Sequence, residues 1–224
     1  MGITERQKTI LESLVEGYIQ SARPISSQWL EEEAGFNFSP ATIRSELLQL
    51  TEKGYLDQPH VSAGRIPTDR GYRFFVNDII QEIEWFDSAH HTEQVEIVEF
   101  LDRLTEVSSA LVLGYSQSSG MVRKEGWEHV LREPEFGEQD SLWNLTKFVE
   151  DVEKRMSDFL PVKTMEVYIG KENPFSKVKD FTVIVRKYST GSGEDGLVAM
   201  VGPRRMEYEK NIELITSYGR RKEN

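Results

Sequence analysis

The stretch SPATIRSELLQLTEKGYLDQPHVSAGRIPTDRGYRFF, residues 39–75, decides how the first half of the chain folds. Ser39 before Pro40 marks a helix start, because the hydroxyl accepts from free backbone N–H groups and a proline at the first helical position has no donor to lose. Ile43, Leu47 and Leu50 share one side of this helix and face a core, and Gly54 ends it. The opposite arc carries Ala41, Ser45 and Glu52, flanked by Thr42 and Gln49 on one side and by Arg44 on the other. Small residues permit close approach and hydrogen-bonding ones read base edges, which is what a DNA major groove requires. Leu48 falls near the same arc and is expected to pack on the strands that follow.

Two short extended runs come next, 55–59 and 65–67, joined by the loop HVSAG. Gly64 and its small neighbours let the backbone approach DNA, Arg65 can reach a phosphate or the minor groove, and His60 and Ser62 add polar contacts. Thr68 or Asp69 caps a fourth helix whose stripe is Tyr72, Phe75, Val76, Ile79, Ile80 and Ile83, with Arg70 and Arg73 in its first turn. Helix, ribbon and basic loop together read as a winged helix-turn-helix. The expected DNA contacts are Ser39, Ala41, Thr42, Arg44, Ser45, Gln49, His60, Ser62, Gly64, Arg65, Thr68, Arg70, Tyr72 and Arg73. Thr42, Ser45 and Gln49 are expected to govern base choice, and Arg44, Arg70 and Arg73 to hold phosphates.

Toward the N-terminus, Thr4 and Gln7 have capping-box spacing, and Ile10, Leu11, Leu14, Val15, Tyr18 and Ile19 recur at helical spacing, predicting a helix over 5–21. Pro24 closes it. Ser26 or Ser27 caps a second helix ending near Gly35, with Trp29, Leu30 and Ala34 on its apolar side.

The length of 224 residues fits two domains. No apolar run approaches the roughly 20 residues that span a bilayer, and the first residues lack the apolar core of a signal peptide, so a cytoplasmic protein is expected. With no cysteine, disulfides, thiolate metal sites and a cysteine nucleophile are excluded. The formal net charge is −11, and residues 1–85 carry 8 basic against 13 acidic residues. A DNA-binding unit that is itself acidic gains little from each phosphate contact. A homodimer that doubles the contacts is therefore expected.

Downstream, residues 84–91 read as a helix end and a junction. Thr92 begins a helix with Val95, Val98, Leu101 and Leu104 on one side, a connector, a dimer surface or an ordinary core helix. A strand over 109–115 follows, then a short helix around Val130, a long one over 141–160, strands over 165–169, 181–188 and 197–201, and a last helix holding Ile212, Leu214 and Ile215. Trp127 and Trp143 read as core or interface.

The segments ITERQKTIL, ARPISSQWL, SPATIRSELLQL and GYLDQPHVSAGRIPTDRGYRFFV, between Ile3 and Asp78, closely resemble the N-terminal domain of HrcA, the heat-inducible transcription repressors of bacteria. GMVRKEGWEHVLREPEF, MEVYIGKENPF and LVAMVGPRRMEYEKNIELI are similar to the family's later, GAF-like region. The resemblance implies a dimeric repressor on an inverted-repeat operator upstream of chaperone genes, with the chaperonin as a partner in its folding. The implied fold class is α+β, an N-terminal winged helix-turn-helix followed by a small GAF-like α+β domain. Its parts are 1–85 for DNA binding, 86–108 as a connecting or dimerisation helix, and 109–224 as a reduced regulatory or dimerisation domain. Two departures stand out. The family carries a long central segment, with an inserted domain tied to dimerisation, where this chain has only the residues between Gly120 and Gly126. Family members also commonly have Asn and Asp where this chain has Ser45 and Glu46, so the family operator is not assumed.

Other functions fit the residues less well. Gly191–Gly196 matches G-x-G-x-x-G, but the glycines join two strands and include Glu194 and Asp195, which repel phosphate; a hairpin turn is expected. The four histidines form no metal set, His90 and His91 pointing about 100° apart on a helix, and no serine, histidine and acid arrangement stands out; neither metal, cofactor nor catalytic residue is assigned. The alternative role is a ligand-gated regulator sensing a small molecule through the GAF-like domain. A third is a winged helix used for protein contact, against which the small-residue face and Arg44, Arg65, Arg70 and Arg73 weigh.

Overall fold

The capping box forms: Thr4 Oγ1 accepts from Gln7 N at 3.2 Å and Gln7 Oε1 from Thr4 N at 3.3 Å, opening α1 (Glu5–Ser21). The computed structural model describes residues 2–32, 35–36, 38–87, 97–162, 165–189 and 195–217. The chain divides into two units, Met1–Asp78 and Ile79–Asn224.

In the first unit, α1 ends at Ala22 in the left-handed region, and Ser26 caps α2 (Ser27–Glu32) by accepting from Trp29 N. Then come α3 (Pro40–Glu52), a two-stranded antiparallel ribbon of β1 (Leu56–Asp57) and β2 (Ile66–Pro67), and α4 (Asp69–Asp87), within which the division between the units falls. The core is Ile10, Leu11, Leu14, Leu30, Ile43, Leu47, Leu50, Leu56 and Val76, the apolar positions the helical spacing assigned and one strand residue. Both strands are shorter than the extended runs of the sequence reading.

In the second unit, α5 (Ile97–Val107) leads into β3 (Leu111–Ser116), a tight turn, β4 (Val122–Glu125) and α6 (Trp127–Val130). A 3-10 turn at Pro134–Gly137 precedes α7 (Gln139–Lys154). Strands β5 (Met165–Ile169), β6 (Phe181–Ser189) and β7 (Asp195–Pro203) and helix α8 (Tyr208–Thr216) complete it. The sheet is antiparallel throughout, in the order β4-β3-β7-β6-β5. Its two faces are both covered. Leu113, Val183, Val185, Ala199 and Val201 pack against Leu145, Phe148, Val149 and Val152 of α7. On the other face Gly114 lies under Leu101 of α5, where an added Cβ would meet Leu101 Cδ1 at 2.4 Å, and Thr182 bonds Tyr208 of α8 at 3.0 Å. The second unit is thus α+β, a five-stranded sheet between helices, consistent with a GAF-like domain. Among the described residues no helix is long and apolar enough to cross a membrane.

Several expectations change. Strand β4, VRKE, was not expected, because it lacks apolar alternation. The long helix expected over 141–160 breaks at Arg155 (φ −118°, ψ 14°) and continues as a 3-10 turn, Met156–Phe159. Val98 and Trp143 are exposed, so of the alternatives open for each the core one does not hold, and Phe100 takes the core position beside Leu101. Residues 88–96 and 190–194, with His90, His91 and most of the glycine loop, lie outside the described residues. The strands flanking that loop pair antiparallel, Ser189 opposite Asp195.

Candidate nucleic-acid interface

The outer arc of α3 is exposed at Ala41, Arg44, Ser45, Leu48, Gln49 and Glu52, with Thr42 half-buried. Ser39 Oγ accepts from Thr42 N at 3.2 Å and shares a hydrogen with Thr42 Oγ1 at 2.9 Å, so the helix start and its two hydroxyls are one unit. Arg44 Nε donates to Ser27 Oγ at 3.3 Å, which tethers the guanidinium to α2. The helix is aimed from below by Glu46, only 7% exposed, which accepts from Arg6 Nε at 2.9 Å and Gln7 Nε2 at 2.8 Å. Gln7, itself buried, also donates to Gln49 Oε1 at 3.0 Å and accepts from Lys53 Nζ at 2.8 Å. With one lone pair of its oxygen engaged by Gln7, Gln49 keeps both amide N–H groups to offer outward, and those suit an acceptor on a base edge.

The ribbon is fastened to the helices. Ile25 and Arg65 exchange both backbone hydrogen bonds, 2.9 and 2.8 Å, adding a third extended segment beside β2. Gly64 is glycine for this reason: a Cβ there would lie 2.3 Å from Ile25 O, so its missing side chain admits the protein's own backbone. Arg65 Nε donates to Thr51 Oγ1 at 3.1 Å and the side chain is half-buried, so its first role is to hold ribbon to α3. At the tip His60 and Ser62 are exposed and joined at 3.3 Å, and Val61 is 97% exposed. Gln58 Nε2 shapes that tip by donating to Val61 O at 2.9 Å and Ala63 O at 3.0 Å. Gln58→Ala should cost about 1 kcal/mol and speed hydrogen exchange of the 60–64 amides alone; unchanged exchange there would remove Gln58 as the organiser of the tip.

Four expected contacts behave differently. Tyr72 is 1% exposed and belongs to the core of the first unit, out of reach of a ligand; this corrects its place among the DNA contacts. The Thr68 hydroxyl donates to Gly54 O at 2.7 Å and accepts from Gly71 N at 3.2 Å, so it caps α4 and closes the turn after α3. Arg70 donates to Lys53 O at 2.7 Å and stacks over the Tyr55 ring at 4.4 Å, on the exposed surface, while Arg73 is half-buried. Leu48, expected to pack on the strands, is 52% exposed on the outer arc.

The residues missed are Leu48, Val61, Gln58, Gln7 and Glu46. Leu48 could have been found by trusting its angular position over its apolar character. For Glu46 and Gln7 the signal was a polar side chain on an otherwise buried stripe.

A family model described as HrcA protein C terminal domain matches residues 43–212. The heat-inducible transcription repressor HrcA of Natranaerobius thermophilus is 24% identical, covering 96% of this chain and 94% of the relative. That of Brevibacillus brevis is 26% identical, covering 95% of each. The repressor of Desulforudis audaxviator is 51% identical over 81 residues, 36% of this chain and 24% of the relative. The alignment with the first runs over 324 positions, well beyond the 224 residues here, so a long stretch of that relative has no counterpart. A crystal structure described as a hypothetical protein at 2.2 Å resolution has the same fold, with a TM-score of 0.78 at 20% identity over 96% of each chain. A family match extending over both units, joined by relatives aligned along nearly the whole sequence, places this chain in the HrcA family.

Proposed function

We propose that the chain is a transcription repressor of heat-shock genes whose first unit is a winged helix binding double-stranded DNA. The relatives named as heat-inducible transcription repressors support the first half of this reading. The observation that carries the second is the outer arc of α3: Ala41, Ser45, Leu48 and Gln49 are exposed together on a helix held rigidly by Gln7 and Glu46. Such an arc enters a major groove, with Leu48 suited to a thymine methyl and Gln49 to a base acceptor. The loop 60–64 then lies over the adjacent backbone. Because this unit is acidic overall, two copies on an inverted repeat supply the phosphate contacts that one lacks. Residues 109–224 serve as the regulatory or dimerisation part.

The division of labour is testable by mobility shift against sites selected from a random DNA pool. Gln49→Ala should relax preference at one base pair per half-site, about 1–3 kcal/mol of discrimination, with Leu48→Ala acting at a neighbouring pair. Arg44→Ala should weaken binding to every sequence and reduce the salt slope by about 1. Selection that returns no repeated half-site would refute the reading.

A further inference from the structure

The second half of α7 and the segment 174–179 wall a cleft of about 740 Å³ in the second unit. Its lining holds five cations, Lys147, Lys154, Arg155, Lys177 and Lys179, against one carboxylate, Asp151. On a chain of net charge −11 this is a local inversion of sign. Asp151 does not cancel it. Burial opposes the charge of Asp151, but the Ser176 hydroxyl at 2.7 Å and Lys147 at 3.4 Å outweigh that and hold its carboxyl below the usual range.

The other cations are differently employed. Lys154 reaches Glu150 at 3.7 Å. It also suits the carbonyl end of α7, which explains that residue alone. Arg155 donates to Pro174 O at 3.4 Å and Lys179 to Asn173 O at 2.5 Å, main-chain dipoles that leave their charges unneutralised. Lys177 is exposed and, among the described residues, makes no ion pair. Lys177 and Lys179 belong to an element with no helix end to complement, so their convergence on the same cleft needs another cause.

The walls are also fixed in advance. Phe175 tilts onto Phe159 with centroids 3.9 Å apart, its N–H donates to Asn173 Oδ1 at 2.8 Å, and Val178 N donates to Ser176 Oγ at 3.1 Å. Arg155 stands in the break after α7, turned out of the helical path. A cleft whose backbone walls are fixed in this way needs no rearrangement of the main chain when an anion arrives, and only its lysine side chains have to be ordered.

We propose that this cleft binds a small phosphate-bearing ligand carrying two or more negative charges. The volume is that of a small-molecule site, and guanidinium with ammonium groups is the usual donor set for phosphate oxygens. Phe175 and Val178 give an apolar side on which a base could lie. The inference is independent of the DNA-binding reading, since it concerns the second unit alone, and it gives that unit a ligand to sense.

The test is calorimetric titration of the full chain with sodium tripolyphosphate and with metal-free ATP, against sodium chloride at matched ionic strength. Saturable binding tighter than about 1 mM is expected. Lys177→Glu should weaken it about tenfold or more while leaving the circular dichroism unchanged, and Lys154→Gln should weaken it less. ATP binding more tightly than tripolyphosphate assigns a nucleotide; equal affinities assign the phosphate chain. No saturable heat, an equal response to chloride, or unaltered affinity in Lys177→Glu overturns the proposal. So does a loss of DNA affinity in Lys177→Glu without any small-anion binding.

Discussion

Gly64→Val should abolish DNA binding and destabilise the first unit by roughly 3 kcal/mol. The added Cβ would sit 2.3 Å from Ile25 O and 2.9 Å from Ile25 N, backbone atoms that cannot swing aside as a side-chain tip can. Relieving the clash means separating the ribbon from the segment before α2, which sacrifices the paired bonds between Ile25 and Arg65. Overpacking of this kind costs about 1–3 kcal/mol and each lost backbone bond about 1 kcal/mol. The loop 60–64 would lose its anchor at the same time, so affinity should fall for all sequences. Urea denaturation followed from the first unit, paired with a mobility shift, reads both effects. An unaltered midpoint would mean that the bridge contributes nothing in solution.

The second large effect is expected at Arg205, which lies 2.6 Å from Glu133 Oε2 and 2.5 Å from Glu135 Oε1 and is only 8% exposed. Burial disfavours its charge, yet the two carboxylates more than compensate and push its pKa further up. Arg205→Leu leaves two neighbouring carboxylates without their cation, at a cost of about 3 kcal/mol. Replacing Glu133 and Glu135 by Gln in the same chain should recover most of that loss, because the uncompensated charge is what costs. If the triple variant is no more stable than Arg205→Leu alone, the defect is lost packing and the ion-pair account fails.

That triad also shows where sequence reading stops. EPEF and GPRRM are recognisable as motifs, but some seventy positions separate Glu135 from Arg205, and nothing local to either says that they meet. The helices of the first unit were legible because caps and 3.6-residue spacing are local: α1 and α3 fall where Thr4 and Ser39 place them. Strand β4 was not legible, since its exposed, charged side chains carry no alternation and its pairing comes wholly from β3. At the candidate interface the exposed arc could be drawn from angles alone. Gly64 is expected from the sequence to let DNA approach the backbone, whereas the group that approaches it in the structure is Ile25 of the same chain, a contact no spacing rule could supply. Tyr72 was misplaced because its aromatic ring suits a DNA surface and a core equally, and only burial separates the two.

The turn between β3 and β4 has a consequence of another kind. Residues 117–121 are all exposed, Gly120 takes a positive φ of 67°, and Ser116 and Met121 are joined across the turn by a 3.1 Å backbone bond. The strands are therefore pinned together below the turn, and the residues at its tip, 118–120, are open to solvent. A polypeptide spliced in at that point leaves and returns through two neighbouring positions, so its ends need no reshaping of the host. The turn is in effect a docking port for added modules, where a family could gain or shed a whole domain while the sheet beneath stays as it is.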